Sequence, residues 1–159
     1  MKHPVTKILL LVLFAGLPFS IFAQQQLPEF SFLSLEGEKF SSENLKNNLP
    51  VITLYFDPYC DHCEQQAKWI RAAENHFQNV QLLWVSMEQP EAVTEFKNKY
   101  FKGSTLKHLH FVLDTEYQFD KYFGYSEIPS VYIYNQKWLR VAEFHQETEA
   151  EKLLDSLRK

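Results

Sequence analysis

An apolar run at residues 51–56 and the two cysteines that follow it constrain the fold of this chain most strongly. β-Branched and aromatic side chains fill most of the run, which is typical of a central strand covered on both faces. Asp57 and Pro58 end the run, and the only two cysteines follow in the tetrad Cys60-Asp61-His62-Cys63. Apolar or small residues then recur at helical spacing, at Cys63, Ala67, Ile70, Ala73 and Phe77. The sequence therefore predicts a strand, the tetrad and a helix in succession, with Cys60 in the first helical turn and Cys63 facing the core.

Strand-like and helix-like segments alternate along the rest of the chain. Residues 27–40 predict a hairpin around Gly37, and further strands are predicted at residues 80–87, 110–113, 131–134 and 139–144. Helices are predicted from Pro90 to Gly103 and over residues 117–123, where Gly124 closes the segment. The last helix begins with a predicted capping box of Thr148 and Glu151, and its buried stripe is Ala150, Leu153, Leu154 and Leu157. This alternation favours a layered α/β sandwich whose final hairpin adds antiparallel pairing at one edge.

The N-terminal residues have the pattern of an export signal. Two lysines precede an apolar run that starts at Ile8, and small residues before Gln24 predict cleavage after Ala23. The alternative is a retained membrane anchor, but the run is shorter than the roughly 20 apolar residues that a spanning helix needs. We therefore predict a signal peptide at residues 1–23, a single domain at residues 24–159 and a periplasmic location. The chain has a net charge of −4, and loss of two lysines makes it more acidic, which argues against nucleic acid as a partner.

The tetrad is a candidate redox site. Thiol–disulfide exchange needs an accessible thiolate, and the unpaired N–H groups at a helix N-terminus favour an anion. This predicts Cys60 as the attacking thiol and Cys63 as the resolving thiol. A protonated His62 would stabilise the thiolate and Asp61 would destabilise it, so the two modulate the potential in opposite directions. A structural disulfide is a poor explanation, because closing so short a loop removes little entropy from the unfolded chain.

Metal binding is the main competing chemistry. Zinc would need four ligands, and the chain has no second cysteine pair, so neither a metal nor another cofactor is predicted. His108 and His110 could share one strand face, which is more often simple surface polarity. Soft thiolates bind Cu(I), so a copper-delivery module that uses Cys60, Cys63 and a distal histidine such as His145 stays open.

Residues near the tetrad and before a late strand are candidates for substrate contact. Asp57 and Pro58 predict a turn, and Tyr59 is most simply a packing residue, although it borders Cys60. Ile128-Pro129-Ser130 stands directly before a predicted strand. Pro129 either marks the start of that strand or forms a cis peptide that leaves the Ile128 backbone open to an extended substrate.

Taken together, these motifs resemble the TlpA-like (redoxin) branch of the thioredoxin superfamily, which contains exported bacterial thiol–disulfide oxidoreductases. The likeness spans residues 27–159 and rests on the Leu27-Pro28-Glu29-Phe30 start, the strand that leads into the tetrad, and Ile128-Pro129-Ser130 before a strand. It implies a thioredoxin-like three-layer α/β/α sandwich with a central mixed sheet and an N-terminal strand extension. It also implies a cis Pro129 packed against the disulfide, with Ile128 and Ser130 beside it.

Some positions depart from that family pattern. Tyr59 replaces the tryptophan often found before the first cysteine, Leu54 stands where thioredoxins bury an aspartate, and Gln66 stands where some relatives keep a glutamate. The last two leave the proton acceptor for Cys63 open. His62 resembles the residue at this position in oxidising members such as DsbA and protein disulfide isomerase.

The leading prediction is an enzyme that exchanges disulfides with cysteine-containing exported proteins, contacts them through Tyr59, Ile128, Pro129 and Ser130, and is recycled by a membrane or periplasmic redox partner. Alternatives are the copper module, a thiol peroxidase of the peroxiredoxin kind, and a redox-inert interaction domain. The peroxidase is disfavoured because no Thr, Ser or Arg lies close to Cys60 in the sequence.

Overall fold

The computed structural model describes residues 25–124 and 126–158, which form a seven-stranded sheet and four α-helices. The predicted signal peptide, residues 1–23, lies outside the described residues. The strands are β1 (Ser31–Ser34), β2 (Lys39–Ser41), β3 (Val51–Tyr55), β4 (Gln81–Ser86), β5 (Leu109–Leu113), β6 (Ser130–Tyr134) and β7 (Arg140–Phe144). The helices are α1 (Asp61–Ala72), α2 (Pro90–Phe101), α3 (Phe119–Phe123) and α4 (Ala150–Ser156).

The sheet is mixed, with strand order β2-β1-β5-β4-β3-β6-β7. β3, β4 and β5 run parallel, and β6 and β7 add two antiparallel strands beside β3. The β1–β2 hairpin pairs antiparallel with β5 at the other end of the sheet. The mixed sheet, the N-terminal strand extension and the antiparallel final hairpin predicted from the sequence are thus confirmed.

The central strand β3 is buried along its whole length, as its apolar run predicts. Ile52 and Leu54 point into one core, which they share with residues of α1, α2 and α4. Val51 and Tyr55 point into a second core on the opposite face, where α3 and the N-terminal segment pack. Helices therefore cover both faces of the sheet, and the three-layer sandwich is confirmed.

The helix boundaries differ from the sequence pattern in two places. α1 ends at Ala72, and the buried Phe77 belongs to a separate 3-10 turn, Glu74–Phe77. α3 begins at Phe119 rather than at residue 117, because Asp114 accepts hydrogen bonds from the Gln118 and Phe119 amides and fixes the helix start there.

The predicted capping box of α4 is wrong. Glu149 is the N-cap residue, and no side chain caps the helix. The Thr148 hydroxyl donates to the carbonyl of Gln146, and the Thr148 amide is bonded to Gln66 of α1. The fully buried positions of the helix are Ala150, Leu153 and Ser156. Among the described residues, no helix has the length and apolar character needed to cross a membrane.

Candidate dithiol site

A tight turn after β3 sets the position of Cys60. The Asp57 carboxylate accepts the Tyr59 amide at 2.7 Å, and the Asp57 carbonyl accepts the Cys60 amide at 3.2 Å. Cys60 is the N-cap residue of α1, with extended backbone angles, and its carbonyl accepts the first helical hydrogen bond from Glu64 at 3.0 Å. Cys60 is half-buried, so part of the residue at the N-terminus of this twelve-residue helix is exposed to solvent.

Cys63 lies one helical turn further on and is fully buried. Its thiol lies close to Cys60 and to the main chain of Asp57. Burial raises the pKa of the Cys63 thiol well above its ordinary value, the Asp57 amide opposes this rise, and contact with Cys60 adds to it. The two thiols are both free and differ in environment, one reachable and one held neutral behind it.

The Ile128–Pro129 peptide bond is cis. Pro129 is buried, Ile128 is half-buried, and Ser130 opens β6, where it pairs with Tyr55 at the end of β3. Because the Cys60 turn also follows Tyr55, the proline loop and the tetrad share one edge of the sheet. The structure thus brings the candidate residues from distant parts of the sequence to this edge.

Tyr59 is not a packing residue, because 75% of its side chain is exposed. It lines a shallow groove of about 280 Å³ between the Cys60 turn and α2, together with Glu95 and Lys99. A larger groove of about 670 Å³ lies at the opposite edge of the sheet, lined by Pro50 before β3 and Asn135 after β6, away from the thiols.

A segment at residues 145–148, here called the bridging segment, joins the proline loop to α1. His145 Nδ1 is hydrogen-bonded to Ser130 Oγ at 3.1 Å, and Glu147 Oε1 accepts a hydrogen bond from His62 Nδ1 at 2.9 Å. The buried Gln66 side chain both accepts from the Thr148 amide at 2.8 Å and donates to the Thr148 carbonyl at 2.9 Å. The sequence pattern did not reveal Glu147 or Thr148, since neither is near the tetrad in the chain.

The proton acceptor for Cys63 is not at either position where relatives carry a carboxylate. Leu54 packs in the core beneath α1, and the Gln66 amide is fully used by Thr148. Asp57 is the carboxylate whose charge acts on the Cys63 thiol, and its effect is to raise the pKa further.

The histidines do not assemble a metal site within the described part of the chain. Neither residues 25–124 nor 126–158 hold a group of three or more His, Cys, Asp or Glu side chains arranged to bind an ion. His145 is hydrogen-bonded to Ser130 through Nδ1. The His110 ring packs at a tilt against Phe40, and burial, assisted by nearby His108 and Lys46, lowers the pKa of His110.

The fold and the paired thiols define a thioredoxin-like protein, with the architecture of thiol–disulfide oxidoreductases and with Cys60 and Cys63 close together. The AhpC/TSA family model matches residues 23–141, and the chain belongs to this family. The resemblance to redoxins stated from the sequence is thereby confirmed. No curated protein matches the chain in sequence.

Solved structures of secreted and redox-active bacterial proteins share the fold. DsbF from Mycobacterium tuberculosis is 22% identical, with a TM-score of 0.67 over 81% of this chain and 92% of that chain. A secreted thiol-disulfide isomerase from Corynebacterium glutamicum is 17% identical, with a TM-score of 0.70 over 84% of this chain and 83% of that chain. A thiol-disulfide oxidoreductase from Bacteroides fragilis is 19% identical, with a TM-score of 0.66 over 84% and 98%. At these identities the comparisons establish the fold of the chain.

Proposed function

We propose that this protein is a periplasmic thiol–disulfide oxidoreductase that exchanges disulfides with cysteine-containing exported proteins through Cys60 and Cys63. The observation that carries the proposal is the asymmetry of the two thiols. Cys60 is partly exposed at a helix N-terminus, whereas Cys63 is fully buried close behind it. One thiol can therefore meet a partner while the other stays protected until it is needed.

The reaction follows from this arrangement in two steps. The Cys60 thiolate attacks a substrate disulfide, forms a mixed disulfide and releases one substrate thiolate. Cys63 then loses its proton and attacks the Cys60 sulfur, which forms the Cys60–Cys63 disulfide and releases the second substrate thiolate. The substrate disulfide gains two electrons and the dithiol loses two. Run in reverse, the same steps oxidise a substrate dithiol.

Four residues at the same edge of the sheet are proposed to contact the substrate. Tyr59 offers an exposed ring beside Cys60, and Ile128, Pro129 and Ser130 form the edge of the proline loop. An extended substrate segment would pair with the Ile128 backbone and place its cysteine over Cys60, a form of strand addition.

Export and recycling complete the proposal. Residues 1–23 direct the chain out of the cytoplasm and are removed after Ala23, and a membrane or periplasmic redox partner restores the dithiol. Support comes from the n-region and apolar run of the sequence, together with structural neighbours named as secreted. Protein recovered from an exporting cell should begin at Gln24. An N-terminus at Met1 would instead indicate a retained anchor.

The central experiment compares two single cysteine variants, because the chain contains no other cysteine. Cys60→Ser should abolish the reduction of insulin disulfides, whereas Cys63→Ser should accumulate a mixed disulfide between Cys60 and the substrate, visible as a mass increase that a reductant removes. Retained turnover in Cys60→Ser would contradict the proposal, and so would substrate trapping in Cys60→Ser rather than in Cys63→Ser.

Peroxide reduction is a second candidate, since the matching family model covers most of the chain. All three arginines of the chain are engaged away from Cys60: Arg71 with Glu74, Arg140 with Glu143 and the Phe123 carbonyl, and Arg158 with Asp155. Hydrogen peroxide consumption should therefore be no faster than that of a free thiol, and a faster rate would favour the peroxidase.

A further inference from the structure

The bridging segment, residues 145–148, contacts the tetrad through a hydrogen bond between Glu147 and His62. Glu147 accepts a hydrogen bond from His62, the residue directly before Cys63, although the two are 85 positions apart in the sequence. The neighbours of Glu147 on both sides are anchored: Thr148 by its two bonds to buried Gln66, and His145 by its bond to Ser130. The carboxylate is thus fixed against the imidazole by the fold.

We propose that Glu147 is a positioning residue that biases the dithiol toward donating electrons, by pairing with His62 and offsetting the cationic charge of the imidazole beside Cys60. The inference rests on the proposed function, and it assigns a direction of electron flow to the same site. The class of substrate that it implies is an oxidised protein whose disulfide is to be reduced. The electrons then come from a dithiol carrier in the membrane or periplasm, which reduces the Cys60–Cys63 disulfide and is itself oxidised to a disulfide.

The physical basis is the balance of charge around the Cys60 thiolate. A cation next to this thiolate stabilises the reduced form and makes the disulfide a stronger oxidant. Glu147 places a negative charge on the outer side of His62, and Asp61 adds another in the first turn of α1. Two carboxylates therefore accompany one imidazole in this part of the site, and the effect of the imidazole on the thiolate is reduced.

The ionisation of Glu147 is consistent with this role. The hydrogen bond from His62, assisted by main-chain bonding, lowers the pKa of the Glu147 carboxyl, so the carboxylate remains charged in mildly acidic solution. Only 27% of the Glu147 side chain is exposed, against 65% for His62, so the carboxylate is the more firmly held partner.

The test is the redox equilibrium of Glu147→Gln with glutathione, measured by thiol alkylation at about pH 5.5. Glutamine keeps an oxygen that can accept from His62 Nδ1 and removes only the charge. The equilibrium should shift toward the reduced dithiol by roughly two- to fivefold, the effect expected of one partly exposed charge, which corresponds to about 10 to 20 mV toward less negative potential. The matched control is Glu149→Gln, two residues along the same loop, which should leave the equilibrium unchanged.

The same substitution in a His62→Asn variant separates an effect exerted through His62 from the effect of a general change in surface charge. In a His62→Asn chain, which lacks the imidazole that holds the Glu147 carboxylate beside the tetrad, the shift caused by Glu147→Gln should be smaller than in the wild-type background. The inference is overturned if Glu147→Gln has no effect, shifts the equilibrium toward the oxidised form, or has the same effect in both backgrounds. Failure of the proposed function looks different, because the wild-type dithiol would then not equilibrate with glutathione or reduce insulin at all.

Discussion

Gln66 offers the sharpest test of how the site is held together. Its side chain is fully buried and makes two hydrogen bonds to the main chain of Thr148, which is also buried. Gln66→Met keeps the length and helix propensity of the side chain but leaves the Thr148 N–H and C=O without partners. Each buried group left unpaired costs about 1–3 kcal/mol, so for the two groups we expect the free energy of unfolding to fall by about 2–6 kcal/mol.

The measurement is urea unfolding of the reduced protein at neutral pH. Gln65→Met, at the adjacent and only half-buried position of the same helix, is the matched control and should change stability by less than about 0.5 kcal/mol. The loop around Thr148 should also become more sensitive to proteolysis in Gln66→Met. A Gln66→Met variant as stable as the control would refute the reasoning, since it would mean that the bonds across the bridging segment contribute nothing net.

Two further predictions concern the buried thiol and the end of α3. Burial raises the pKa of Cys63 above its ordinary value near 9.0, so the stability gained by keeping the thiol neutral is complete below that pH and is lost as the pH rises toward the folded-state value. Reduced wild type should therefore lose about 1 kcal/mol relative to Cys63→Ala between about pH 9 and pH 10; parallel stability curves from urea unfolding would contradict this. Gly124 has φ +98° and ψ −179°, a region open almost only to glycine, and no atom lies within 4 Å of an added Cβ. Gly124→Ala should cost about 1–3 kcal/mol in thermal unfolding from backbone strain alone, and an unchanged melting temperature would show that the backbone relaxes there.

Periodicity predicted the elements that bury a face. The run at residues 51–56 became a central strand because both of its sides are covered, and the spacing from Cys63 to Ile70 placed the inner thiol correctly. Pro90 marked the start of α2, and Ile128-Pro129 marked both a strand start and a cis peptide. These features depend on local sequence and on which residues are buried. Both can be inferred from a single amino-acid sequence.

Contacts between distant segments could not be predicted in the same way. Thr148 has the sequence of a helix cap, yet its amide is bonded to Gln66, a partner 82 positions away. Tyr59 is a large aromatic residue of the kind often found in a core. It lies, however, in the turn that Asp57 stabilises, and it is exposed to solvent. Glu147 looks like any surface acid until the fold brings it to His62. In each case a tertiary partner, which no local pattern encodes, decides the outcome.

The pairing of β3 with β6 has a consequence for the order in which the molecule can form. β3 pairs with β4 along one side. The hydrogen-bonding groups along its other side have no strand partner until Ser130–Tyr134 is available. Such long-range pairing is slow, because a large loop must close before any contact compensates for the lost entropy. While residues 130–134 are still unpaired, both thiols, including the one that is later buried, therefore stay open to reaction with other molecules.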